Sequence, residues 1–184
     1  MVNVKSGMSW GISLILFFVV WCLNPTQSIG APVPGGPGYL IQPASAFRPQ
    51  SSSTEFLISA SYLLNLTNPS ASFIAPVSLP QGATINKFIL YYQDNDTVVG
   101  VEGRLSRIAL PGAAAVELAN VNSNSNVNSL TPNYVETTNI INPVVDNQSY
   151  AYFVQVILPA SINLVVNGFR LDYTFPINLP LIMK

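Results

Sequence analysis

The stretch that decides the fold is Gly168-Phe-Arg-Leu-Asp-Tyr-Thr-Phe175, in which Phe169, Leu171, Tyr173 and Phe175 alternate with Arg170, Asp172 and Thr174. Successive side chains of a β-strand point to opposite faces, so a period of two predicts a strand with one apolar, core-facing side and one wet side. Thr97 to Leu110 repeats the pattern, setting Val99, Val101 and Leu105 against Glu102, Arg104 and Ser106. In Tyr150 to Leu158 the residues Tyr150, Tyr152, Val154, Val156 and Leu158 share one side, yet Phe153 and Ile157 make the other side apolar too. Such a strand belongs at the centre of a sheet or beneath a covering layer.

Working outward, further strands are expected at Tyr39 to Gln42, Glu55 to Leu66, Ser72 to Ser78, Ala83 to Gln93, Ala113 to Asn122 and Ile162 to Val166. They are separated by residues suited to turns: Pro80-Gln81-Gly82, Asp94-Asn95-Asp96 and Pro111-Gly112. No window sustains a helical period. The expectation is an all-β protein, a single antiparallel β-sandwich of jelly-roll type with about eight or nine strands, a closed barrel being the alternative. Asn120 to Asn128 (NVNSNSNVN) is polar and of low complexity and reads as a long exposed loop.

Ile41 to Pro49 (IQPASAFRP), Ala75 to Ala83 (APVSLPQGA), Tyr91 to Asn95 (YYQDN) and Tyr150 to Leu158 followed by Gly168 to Tyr173 carry a resemblance. Together they resemble uncharacterised secreted β-sandwich domains, jelly-roll-like, of environmental bacteria. The resemblance spans most of residues 39–184 and implies secretion and fold. It implies no activity and transfers no functional residue.

The opening segment has the three-part build of an export signal: Lys5 supplies a positive charge, Gly11 to Leu23 is apolar, and Asn24 to Ala31 is small and polar. Residues 1–30 are therefore expected to be a signal peptide cleaved after Gly30, followed by a Pro/Gly-rich lead at 31–38 and the sandwich at 39–184. The apolar run is shorter than the roughly 20 residues that span a bilayer, so membrane contact is expected only through this segment if it is uncleaved. The sole cysteine, Cys22, lies inside it, and Trp21 before it argues against lipid attachment; the domain itself must be stable without disulfides.

The chain has no histidine, which excludes histidine-based triads, and a domain without cysteine lacks thiol nucleophiles and the usual zinc sites. Eight acids oppose six bases once residues 1–30 are set aside, without a basic stripe, so nucleic acid is not an expected partner. No catalytic or cofactor-binding residue is assigned. Asp94, Asn95 and Asp96 are the metal candidates, because alternating side-chain oxygens in a loop can ligate calcium; an ordinary hairpin turn is the competing reading. Asn65, Asn95 and Asn147 head Asn-x-Ser/Thr sequons. Tyr91, Tyr92, Tyr150, Tyr152 and Phe153 are candidates for a sugar-stacking platform, although adjacent positions face opposite ways and at least half must belong to packing.

These features lead to a secreted or cell-surface, non-enzymatic structural or interaction module, with itself or extracellular polymers as candidate partners. The alternative is a carbohydrate-binding module or a glycoside hydrolase working through two carboxylates.

Overall fold

The structure, a computed structural model, describes residues 35–66, 70–125 and 129–175. The expected signal peptide, the first half of the Pro/Gly lead, and residues 67–69, 126–128 and 176–184 lie outside the described residues, while Pro37 and Gly38 of the lead open β1. The described strands are β1 (Pro37–Pro43), β2 (Arg48–Pro49), β3 (Phe56–Ile58), β4 (Leu63–Asn65), β5 (Ala71–Val77), β6 (Thr84–Asp94), β7 (Glu102–Ala109), β8 (Val116–Asn122), β9 (Ser129–Thr137), β10 (Tyr150–Leu158) and β11 (Leu164–Thr174). Short 3-10 turns occupy Ala44–Ala46 and Ser123–Ser125.

Two antiparallel sheets face each other in a β-sandwich of jelly-roll type. One has the order β3-β4-β11-β6-β9, with β1 also paired to β11; the other has the order β2-β5-β10-β7-β8. From β5 onward the chain passes repeatedly between sheets, so most neighbours in a sheet are distant in sequence. We call the sheet containing β11 the front sheet and the one containing β10 the back sheet.

The alternation read from sequence sets the interior. Phe169 and Leu171 of β11, Phe88 and Leu90 of β6, Leu105 of β7, and Val154, Val156 and Leu158 of β10 are all fully buried between the sheets. Phe47 meets Phe169 edge to face with ring centroids 5.8 Å apart, and Phe56 meets Phe73 at 5.6 Å. Burying each such side chain contributes about 1.5–3 kcal/mol. Two of the buried polar side chains are hydrogen-bonded to backbone. Asn65 donates through Nδ2 to the Leu158 carbonyl at 2.8 Å, tying front to back, and Tyr152 Oη accepts from the Asp146 amide at 2.8 Å.

Several expectations need correction. The expected strand Glu55 to Leu66 is two short strands, because Ser59 Oγ accepts from the amides of Ser61 and Tyr62 and closes a turn between them. Thr97 to Val101 precede β7: the Asp96 carboxylate draws the Val98 and Val99 amides into a turn at 2.9 and 3.2 Å, leaving Val99 exposed and only Val101 and Leu105 in the core. Ser106, expected on the wet face, is buried, sitting between Phe153 and Glu117 in the register. Ile162 to Val166 and Gly168 to Phe175 are not separate strands but one, β11, continuous through a bulge. Asn120 to Asn128 is not one exposed loop: Asn120 to Asn122 end β8 and Val121 is buried. Strand β9 had no counterpart in the sequence reading. The final count is eleven strands among the described residues rather than eight or nine.

Candidate binding face

The outer face of the front sheet follows from its register. Opposed residues form two regular rows, Tyr39–Asp172–Lys87 and Ile41–Arg170–Ile89–Glu136, crossing β1, β11, β6 and, in the second, β9. The next row is Pro43–Gly168–Tyr91–Tyr134, and there the regularity fails. Val166 stands opposite Tyr92 and Gly168 opposite Tyr91, so Asn167 is an extra residue on β11, a β-bulge. Gly168 takes φ +149°, and a Cβ at that position would overlap the backbone carbonyl of Gln42 on β1. Only glycine fits, so the middle of the row has no side chain.

The consequence is a depression of about 680 Å³ over Gly168, walled by Ile41 and Pro43 on one side and Tyr91, Tyr134 and Pro132 on the other. Through Ser61, Pro132 and Asn167 it joins a second hollow of about 410 Å³ reaching Tyr62, Leu64, Gln93 and Val165. Through Tyr91 and Tyr134 it joins a third of about 260 Å³ bounded by Lys87, Glu136, Arg170 and Asp172. Together they make a trough along β11 from Val165 to Asp172, roughly 23 Å at about 3.3 Å per residue.

Its chemistry divides along its length. The centre is aromatic and amidic: the Tyr91 and Tyr134 rings lie 6.3 Å apart and tilted by 58°, and Tyr134 is more than half exposed. Asn167 donates through Nδ2 to the Ser61 carbonyl at 2.7 Å, while its Oδ1 has no hydrogen-bond partner. The far end is ionic. Arg170 Nε meets Asp172 Oδ1 at 2.5 Å and its guanidinium lies 5.0 Å from the centre of the Tyr39 ring. Lys87 Nζ meets Glu136 Oε1 at 2.9 Å. Asp172 foremost, then Tyr91, holds the Arg170 guanidinium above its ordinary range, and Glu136 does the same for the Lys87 ammonium.

The residues singled out from sequence are placed differently. Asp94, Asn95 and Asp96 do form the turn after β6. Asp94 is buried and accepts from Ser123 Oγ at 2.5 Å and from the Asp96 amide at 3.0 Å. Asp96 accepts from Val98 and Val99 amides and from Ser161 Oγ at 3.0 Å, bonds that hold its carboxyl below the usual carboxylate range, the two amides contributing most. These oxygens hold the turn together, and among the described residues no cluster of three or more acidic, His or Cys side chains is arranged to ligate a metal. Of the sequon asparagines, Asn65 is buried, Asn147 donates through Nδ2 to the Leu79 carbonyl at 2.8 Å, and Asn95 is exposed at the turn. Of the aromatics, Tyr92 and Tyr152 belong to the core, Tyr150 lies 4.0 Å from the Arg107 guanidinium, Phe153 is on the back sheet's outer side, and Tyr91 alone reaches the trough. The sequence reading missed Tyr134 and Tyr39. The Pro132 beside Tyr134 hid its strand, and the signal for Tyr39 was its alternation with Leu40 in a strand already expected.

No protein-family model matches the chain, and no curated protein does. Among solved structures it is similar to the C-terminal CBM6 of LamC, a marine laminarinase from Zobellia galactanivorans, at 14% identity over 73% of this chain and 98% of that one, with a TM-score of 0.45. It is also similar to the CBM36-1 domain of a multidomain xylanase from the hindgut metagenome of Trinervitermes trinervoides, at 10% identity over 74% of this chain and 96% of that one, TM-score 0.42. A third likeness is to infectious bursal disease virus, Gx strain, at 11% identity over 76% of this chain and 32% of that one, TM-score 0.40. None of these assigns a ligand to this chain.

Proposed function

We propose that this protein is a secreted, non-catalytic carbohydrate-binding module that holds an extended glycan chain in the trough along β11. The observation that carries the reading is the open row at Gly168, flanked by the half-buried Tyr91 and the exposed Tyr134. A pyranose ring presents an apolar C–H face and a polar rim. Such a ligand asks for tyrosine faces to pack on and for amides and charged edges that both donate and accept. Tyr91, Tyr134, Pro132 and Ile41 supply the first; Asn167, Gln93 and the acids Glu136 and Asp172 supply the second. Both acids on this face close on cations, an arrangement suited to accepting hydroxyl hydrogens rather than to protonating a glycosidic oxygen.

Export belongs to the same proposal and rests on the signal-like build of residues 1–30. The binding claim is tested by affinity electrophoresis through gels containing soluble polysaccharides. A retarding polymer should cease to retard Tyr91→Ala and Tyr134→Ala, each with a retained melting temperature, at a cost of about tenfold or more in affinity. Unchanged retardation in both variants would move the site off this face.

A further inference from the structure

Resting on the carbohydrate reading, we infer that the trough is built for a neutral glycan and excludes acidic ones, through the closure of Lys87 and Arg170 by acids of the same face. The hollow over Gly168 is walled by Ile41, Pro43, Tyr91, Pro132 and Tyr134 with Asn167 at its edge, and no residue lining it is charged. Among the described residues the cations bordering the trough are Lys87 and Arg170, at its ionic end, and each is already held by a carboxylate, at 2.9 and 2.5 Å. Lys87 has Asp172 opposite it in the register as well as Glu136 bonded to it, and both acids stabilise its charge. The Arg170 guanidinium is engaged on further sides by Tyr39 and Tyr91.

A uronate or sulfate group entering the trough would leave water for a wall of tyrosine, proline and isoleucine. At the centre nothing positive replaces its hydration, and charge without a partner is costly to desolvate. At the ionic end it would have to displace Asp172 or Glu136 from its cation, or lie beside two carboxylates that repel it. Hydroxyl groups meet no such penalty. They donate to the carboxylate oxygens and accept from amides without breaking either ion pair, and a charge-assisted bond from hydroxyl to carboxylate is stronger than one between neutral groups. Arginine with an aromatic neighbour is a common device for gripping anionic ligands. Here Asp172, two residues along the same strand, has converted it into part of the wall.

The test measures affinity of the purified protein at 0.15 M salt, where the Debye length is about 8 Å and long-range attraction is muted. The probes are neutral β-glucan, mannan and galactan beside polygalacturonate and alginate. At least one neutral polymer should bind, with the acidic polymers about tenfold weaker or more. In the double variant Glu136→Gln, Asp172→Asn, which leaves Lys87 and Arg170 unpaired at near-constant side-chain volume, the ratio of acidic to neutral affinity should rise about tenfold, with melting temperature as the check on folding. Acidic polymers binding the parent protein as well as neutral ones would overturn this inference while leaving the carbohydrate reading standing. A ratio unmoved in the folded double variant would show that the acids are not what excludes anions. Binding of neither class would overturn the carbohydrate reading and this inference with it.

Discussion

The outer faces of the two sheets are made by the same strand alternation and end up with opposite characters. On the back sheet, side chains bond to one another along and between the strands: on β7 Arg104 Nε reaches Glu102 Oε1 at 2.7 Å, across to β8 it reaches Glu117 Oε2 at 3.5 Å and Asn120 donates to Glu102 at 2.6 Å, and Gln155 of β10 donates to Gln50 just past β2 at 3.0 Å. Every row there carries a side chain on its central strand, β10, so the surface is filled with its own ladder of contacts. On the front sheet the central strand β11 gains one residue at Asn167 and loses a side chain at Gly168, and the face opens into a trough. Composition does not explain the difference, since both faces mix apolar, amide and ionic groups. The bulge at Asn167 with the bare Gly168 beside it does: register shifts occur in both sheets, but this one removes a side chain from the middle of a row and leaves aromatic faces and the Asn167 side-chain carbonyl oxygen without a partner.

Both faces rest on one interior, so the largest effect should come from below them. Phe169 is fully buried and packs on Phe47, and Phe169→Ala should cost about 3–5 kcal/mol, a large share of the roughly 5–15 kcal/mol that holds a typical domain folded. Its neighbour Arg170 faces outward and Arg170→Ala should cost about 1 kcal/mol or less. Urea midpoints decide it; equal losses would mean that β11 presents no distinct inner and outer sides.

Next in size is the bulge itself. Gly168→Ala combines a left-handed-side φ with overlap onto the Gln42 carbonyl, and should cost about 3 kcal/mol or more while prising β1 from β11. Gly112 makes the contrast. Its φ is +64° but nothing lies within reach of an added Cβ, so Gly112→Ala should cost only about 1–2 kcal/mol. If the two glycines proved equally tolerant, the trough would not depend on the close approach of β1, and the distinction drawn between the faces would lose its structural cause.

The regular parts of this architecture were legible because alternation is a local property. Tyr150 to Leu158 announced a strand apolar on both sides, and β10 is indeed the central strand of its sheet, with Phe153 and Ile157 half-buried on the outer side. The site was not legible for the same reason. Asn167 alone separates the two expected strands, Ile162 to Val166 and Gly168 to Phe175, and a glycine at a strand's start signals a bend, a bulge or a close approach without saying which. Only the register with Tyr91 and Tyr92, more than seventy residues earlier, makes it a bulge. Tyr91 and Tyr134 likewise belong to strands far apart in sequence, and Pro132 disguised the second strand because proline cannot donate to a ladder and is confined to edges. β9 lies at such an edge.

The smallest expected effect tests the closed face. Glu117 completes the ionic cluster of the back sheet, but its contact with Arg104 is 3.5 Å against 2.7 Å for Glu102, and its side chain is the most exposed of the three. Arg104 is held above its ordinary range by Glu102 first, with Glu117 the weaker contributor, so removing Glu117 leaves the guanidinium partnered. An exposed ion pair of this kind contributes about 0–1 kcal/mol and is screened by salt. Glu117→Gln should therefore shift stability by less than about 0.5 kcal/mol and leave polysaccharide retardation untouched, because no side chain of the trough meets this cluster. Glu102→Gln, which strips the shorter bond and the acceptor of Asn120 together, should cost more, and its effect should shrink in 1 M salt. A loss of glycan binding in Glu117→Gln at unchanged stability would place a ligand on the back sheet and reverse the roles assigned to the two faces.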